Sequence, residues 1–396
     1  MSGPSPRHPV ELRLAPTSRA RQPERPTLLF AIGGRGDAIR FTPLMRALNR
    51  RGDSRLLQVH SGPNDTRDLI ESVRPDLGLA EPDFRLDVDE GRGARGTASA
   101  LAAFERLLDA VRPDVVVLGG ASDASFACAL AASKQSIALI RVDAGLRSGV
   151  RADVREINRT LIDRMADTLL TTTRQDRDNL LREGIPDSRV HLVGNTTVDV
   201  LRRCDVRSAP AEPWRTHGLT VGDYVLVALR DPRTFGAERL GPLAAGITDL
   251  ASRHPVLVVA DPDIRARLDA AGHARALTTA GAQIVGPAGY REFVALQRGA
   301  GVVVTDVGSI QDETSVLGTA CRTLASSTER SASLSHGTNS LLGDDPAALA
   351  DVHPRGAERT PAAIPLWDGR AGERAAEVVT AHYVLRTAVG STASPA

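Results

Sequence analysis

The feature that most constrains this chain is an alternation of short apolar runs with longer amphipathic segments, which halts once and then restarts. Thr27–Ile32 is an apolar run, followed by a helix-like Ala38–Arg50 and a second short strand at Arg55–His60. Thr97–Val111 reads as a helix, Asp114–Leu118 as a buried strand, Ser125–Ser133 as a small-residue helix and Ile137–Val142 as a strand. A helix over 153–166 and the strand Thr168–Thr172 continue the series. Strands interleaved with helices predict a parallel sheet covered on both faces. Residues 205–221 hold Pro210, Pro213 and Gly218 with little periodicity, and they read as a linker. The rhythm then resumes with the strand Tyr224–Leu229, the helix Ala237–Arg253, the strand Pro255–Ala260 and the helix Pro262–Ala271. Gln283–Val285, the helix Tyr290–Arg298, the strand Gly301–Thr305 and the helix Ile310–Leu317 complete it.

The expected fold class is α/β, with two Rossmann-like doubly wound domains and a cleft between them. A chain of 396 residues suits two or three domains at roughly 150 residues each. The division reads as a leader over 1–25 with five prolines, a first domain over 26–204, the linker over 205–221 and a second domain over 222–369. Residues 370–387 are expected to form a helix crossing back to the first domain, and 388–396 a tail. In open sheets of this kind, ligands bind beyond the carboxyl ends of the strands.

Composition removes several function classes. The net charge of +1 gives no field towards nucleic acid or an anionic membrane. Three cysteines far apart, Cys128, Cys204 and Cys321, make neither a disulfide framework nor a zinc cluster. No apolar run nears the roughly 18 residues of a membrane helix, and the N-terminus has no secretory apolar core. A cytoplasmic protein is the expectation. Lys134 is the single lysine, so no mechanism with a catalytic lysine elsewhere is open. The histidines share no metal spacing, no metal or cofactor is expected, and no Ser-centred elbow occurs.

Four segments are candidates for chemistry. Gly33-Gly34-Arg35-Gly36-Asp37 lies between a strand and a helix, where bare backbone N–H groups attract an anion and Arg35 and Arg40 add charge. A plain tight turn has the same composition. Asp306-Val307-Gly308-Ser309-Ile310-Gln311-Asp312-Glu313 repeats the device in the second domain, with Glu313 one turn in and able to accept from ribose hydroxyls. Capping by Ser309 with Asp312 as its partner is the structural alternative. Asp143, ahead of Ala144-Gly145-Leu146-Arg147, follows a buried strand and is expected to point into the cleft, or to cap the next turn. Glu156, Asn158 and Arg159 follow on a helix, as a site or as a solvated face.

Several strings together resemble the non-hydrolysing UDP-N-acetylglucosamine 2-epimerases. They are Ala31–Arg40 with Thr42-Pro43-Leu44, Arg112–Gly120, Val142–Arg147, Asp178–Gly184 with Val193–Asp199, Thr305–Glu313, Ser327–Arg330 and Trp367–Ala371. They run in order from about residue 27 to 385. The resemblance implies a glycosyltransferase-B-like fold, a UDP-sugar ligand, and uridine and diphosphate contacts at Arg35, Phe293, Gly308, Ser309 and Glu313. It also implies elimination of UDP across C1–C2 and its re-addition, and a homodimer paired through first-domain helices.

The same resemblance exposes departures. Val307 replaces a diphosphate-binding serine and Ser309 a glycine. A family aspartate falls on Ala121, a glutamate on Asp143, another glutamate on Arg155 and a histidine on Arg230. Arginine cannot serve as a base. Asp123, two residues beyond Ala121, together with Asp143 and Glu156, remains to share proton transfers, while Arg230 neutralises the leaving diphosphate. Asp37, Arg40 and Arg147 are further substrate-binding candidates. In the family's allosteric segment, here Asp65-Thr66-Arg67-Asp68, the glutamine and histidine are missing, so substrate activation is not expected. Three readings stay open: a C2 epimerase of a UDP-N-acetylhexosamine, a glycosyltransferase with a UDP-amino-sugar donor, and a non-catalytic nucleotide-sugar binder.

Overall fold

The computed structural model describes residues 25–62, 66–86, 88, 93–204, 212–230, 236–355 and 360–384. Nearly all of the expected leader, the tail and residues 205–211 of the linker lie outside them. Seven parallel strands form the first sheet: β1 (Thr27–Ile32), β2 (Arg55–His60), β3 (Phe84–Arg85), β4 (Val115–Leu118), β5 (Ala138–Ala144), β6 (Thr168–Thr171) and β7 (Val190–Leu192). Their order is β3-β2-β1-β4-β5-β6-β7. Six parallel strands form the second: β8 (Val225–Ala228), β9 (Val256–Val259), β10 (Gln283–Val285), β11 (Val302–Thr305), β12 (Cys321–Thr323) and β13 (Asn339–Leu341), ordered β10-β9-β8-β11-β12-β13. Central strands such as Val115-Val116-Val117-Leu118 and Val302-Val303-Val304 are fully buried, as expected for parallel strands with helices on both faces.

Each sheet separates two apolar layers. In the first domain one layer joins Leu28, Phe30, Phe41 and Leu44, and the other joins Leu29, Phe104, Leu107 and Val116. The second domain repeats the plan around Val225, Leu243 and Ile247 on one side and Tyr224, Leu257 and Phe293 on the other. Val198, Ala332, Ile364 and Trp367 make a small apolar cluster at the seam.

Several boundaries differ from the sequence reading. The first helix begins at Arg35, earlier than the expected Ala38, because Gly34 is its N-cap and residues 35–37 are already helical. The second-domain turn gives the helix Gly308–Leu317 with Val307 as N-cap and no side-chain cap, so Ser309 and Asp312 do not form a capping pair. The C-terminal helix Ala371–Val379 continues as a π-helical turn over Thr380–Val384. It packs on the first domain. Asp199 accepts from the N–H groups of Ala371 and Gly372 at 3.1 and 2.7 Å, and Gly372 sits against Pro43. Lys134 stands exposed in the last turn of the helix Asp123–Lys134, where a cation suits the helix dipole. Among the described residues no helix is long and apolar enough to cross a membrane.

Candidate active site

In each sheet the order reverses between two central strands, β1 and β4 in the first, β8 and β11 in the second. Ligands of open α/β sheets bind at that switch point. The two glycine-bearing turns follow β1 and β11 there, and residues 34–36 and 307–309 line one cleft of about 700 Å³ between the domains. Two helices thus turn their first N–H groups to the same space, which favours an anion. Gly34 has nothing within 4 Å on its side-chain side, so the wall there is bare backbone. Gly308 is glycine for another reason: a Cβ would meet Glu329 Oε1 at 2.6 Å and Arg330 Nε at 3.0 Å.

Two guanidiniums share one aromatic ring in this cleft. Arg35 lies 5.3 Å and Arg230 5.7 Å from the centroid of Phe293. Arg35 is 6% exposed and donates to the Ala288 carbonyl at 3.3 Å. Arg230 pairs with Asp261 at 3.5 Å, its backbone N–H donates to Asp306 at 2.7 Å, and its buried Nη2 has no hydrogen-bond partner among the described residues. Burial and the neighbouring Arg230 push the Arg35 guanidinium down to about 10. An anion between the two cations would relieve both effects. On the same wall Glu313 accepts from Tyr290 at 3.0 Å and Gln297 at 2.7 Å, and burial pushes its carboxyl up.

Deeper, an ion network crosses the domain seam. Arg330 donates to Asp312 at 2.9 Å and to Asp143 at 3.1 Å. Burial raises Asp312 to about 7 against the pull of Arg330. Burial also acts to raise Asp143, but Arg40 and Arg330 outweigh it and hold it below the ordinary carboxylate value. Asp143 sits at a register shift of β5 with φ 58°. Glu329, on the cleft wall, pairs with Arg159 of the first domain at 3.3 Å. Burial would raise it, yet Arg159 and Arg330 hold it at about 2.

The structure brings Arg35, Arg230, Phe293, Gly308, Ser309 and Glu313 together on the cleft wall. It places the other candidates behind that wall. Asp143 is 2% exposed in the seam network. Asp123 accepts from Asn158 at 3.0 Å. Glu156 accepts from the N–H groups of Ser148 and Gly149 and from Arg159, all within 3.1 Å, and so shapes the loop whose Ser148, Val150 and Asp153 line the cleft. Asp37 turns back to the Gly33 N–H at 3.0 Å and pairs with Arg40 at 3.4 Å. Arg147 binds Glu183 and Asp163 and points its charge into the first domain. Arg155 lines the cleft. Sequence reasoning did not assign Glu329 or Arg330 to the site, although the string Ser327–Arg330 was in view, and it left Arg159 open between a site and a solvated face. No group of three metal-ligating residues exists among the described residues.

Two Rossmann-like domains with a glycine-bearing turn from each and paired arginines in the intervening cleft define the architecture of nucleotide-sugar enzymes of the glycosyltransferase-B type. A plant UDP-glucosyltransferase from Polygonum tinctorium shares the fold at TM-score 0.51 and 13% identity, covering 94% of this chain and 99% of that one. The match to the UDP-N-acetylglucosamine 2-epimerase family model spans residues 46–380. The UDP-N-acetylglucosamine 2-epimerase of Methanocaldococcus jannaschii is 30% identical over 361 residues, 89% of this chain and 98% of that protein. A crystal structure of the enzyme from that organism, in complex with UDP-GlcNAc and UDP, superposes at TM-score 0.82 with 29% identity, covering 90% of this chain and 99% of that one. The chain belongs to the UDP-N-acetylglucosamine 2-epimerase family and is an enzyme of the isomerase type. Neither the transferase nor the binder reading is favoured.

Proposed function

We propose that the cleft binds a UDP-N-acetylhexosamine and inverts it at C2 by losing UDP and taking it back. The observation that carries this reading is the pair of like-charged guanidiniums over Phe293, lining one cleft together with two helix N-termini. In the forward half, a base takes the C2 proton, the C–H electron pair becomes the C1–C2 double bond, and UDP leaves with the C1–O pair. In the return half, a proton reaches C2 from the other face and UDP re-forms its bond at C1. Charge grows on the diphosphate as the C1–O bond breaks, so donors aimed at it favour the transition state. Arg35, Arg230, Gly308 and Ser309 serve that charge, and Phe293 and Glu313 hold the uridine. The proton transfers are assigned to Asp143 and Asp123, which lie behind the wall in this structure and reach C2 only when that wall moves on substrate binding. Arg40 and Arg330 hold Asp143 below the ordinary carboxylate value, and among the described residues nothing donates to its buried Oδ1. Glu156 supports the cleft-wall loop.

Proton NMR in D2O with UDP-N-acetylglucosamine tests the reading, with UDP as binding control. The expected result is deuterium at C2 and a second anomeric signal. Unchanged sugar with clear UDP binding overturns epimerisation of that substrate. Asp143→Asn and Asp123→Asn then separate the two acids.

We also infer a homodimer through the first domain. Val150, Val154, Ile157 and Leu161 recur every three or four residues and are 40–56% exposed, an apolar stripe that a second copy would cover.

A further inference from the structure

We propose that Arg330 is a positioning residue: its single guanidinium latches the second domain to the first and thereby sets the width of the cleft. The proposal rests on the cleft being the site of reaction. Arg330 is 6% exposed, with Nη2 on Asp143 at the end of β5 in the first domain and Nη1 on Asp312 in the second-domain helix. The same Asp312 oxygen also accepts from Asn195 of the first domain at 2.9 Å. Two buried carboxylates, one from each domain, therefore share one cation. Without it Asp312 loses its cation and Asp143 keeps only the longer Arg40 pairing at 3.6 Å, and separating the domains to let water in becomes the favourable course.

The latch is tied to the wall. The Arg330 backbone N–H donates to Thr328 Oγ1 at 3.1 Å, and Thr328 and Glu329 both line the cleft. Glu329 meets Arg159, which meets Glu156, which holds the N–H groups of Ser148 and Gly149 on the opposite wall. One run of ionic contacts thus joins the two walls through the seam. Asp143 holds φ 58°, a conformation a non-glycine residue keeps only where its surroundings fix it. Arg330 and Arg40 are those surroundings.

The test uses the full chain with Arg330→Gln, Arg330→Lys, Asp143→Asn and the Arg330→Gln/Asp143→Asn double variant. Small-angle X-ray scattering reads domain separation, calorimetry reads UDP affinity, and steady-state kinetics reads KM against kcat. Loss of the latch lowers the closed population and weakens UDP in proportion, by about tenfold or more for Arg330→Gln. The radius of gyration rises, KM rises with UDP dissociation, and kcat falls by a smaller factor. Arg330→Lys recovers UDP affinity to within about threefold, and the double variant is no weaker than Arg330→Gln. UDP affinity and scattering unchanged in Arg330→Gln overturn the proposal, as does a fall in kcat alone. If Arg330→Gln does not fold, Asp143→Asn decides: wild-type scattering and UDP affinity there also overturn it. A wild-type chain that binds UDP without turnover defeats the epimerase reading, while scattering and UDP affinity still read the latch.

Discussion

Arg230 shows how much one residue's setting decides. Its ring contact with Phe293 and its distant pairing with Asp261 leave buried N–H groups facing a cleft that contains a second cation. Arg230→Gln removes that charge, and kcat measured by steady-state kinetics is expected to fall about 100-fold, the order seen when one preorganised donor to a developing anion is lost. The seam carboxylates set opposite pH signatures. Asp312 moves from an ordinary 3.8 up to about 7 on folding, so its contribution to stability is complete below about pH 4 and is lost as pH rises through 7. Glu329 moves from 4.5 down to about 2, so its contribution is present above pH 4.5 and is lost as pH falls through 2. Thermal melts across pH are expected to show Asp312→Asn removing the decline between pH 4 and 7, and Glu329→Gln removing part of the acid-side loss.

The turn ahead of the helix Gly308–Leu317 is the element on which the site depends most closely. Gly308→Ala brings a methyl group against Glu329 and Arg330, both held by partners in the seam. The expected outcome is a KM for UDP-sugar raised about tenfold, with melting temperature changed by only a few degrees, read by kinetics and calorimetry. At this scale the sequence was a good guide to what alternates along the chain. Val, Leu and Ile runs ended by glycine turns announce parallel strands and the positions of both anion turns. It was a poorer guide to capping. Ser309 and Asp312 have a helix-start spacing, yet Asp312 is taken by Arg330 and Asn195, partners distant in sequence that make stronger, buried bonds. On the cleft wall, Arg35, Gly308, Ser309 and Glu313 stood in local glycine turns, whereas Phe293 and Arg230 were reached only through the resemblance to the family. The Arg159–Glu329 pair was not, because each partner lies in a different domain and neither string names the other. Nor could local order show that Arg147 turns to Glu183 and Asp163, away from the cleft.

At the scale of the whole molecule, the two sheets repeat one winding and present their switch points to each other, so a single cleft receives both anion turns. The stripe from Val150 to Leu161 lies beside that cleft, and Val150 belongs to both. Leu161→Glu is expected to convert a dimer into a monomer, with mass read by light scattering. A wild-type monomer at micromolar concentration would remove the pairing. One further property of the molecule follows from the residue at the end of the helix Asp123–Lys134. With Lys134 exposed and every other basic side chain an arginine, an amine-reactive dye finds one side-chain target in the entire chain. That target is rigidly part of the first domain. Paired with a fluorescent nucleotide in the cleft, it makes an optical ruler for interdomain motion in the natural sequence, without an engineered cysteine.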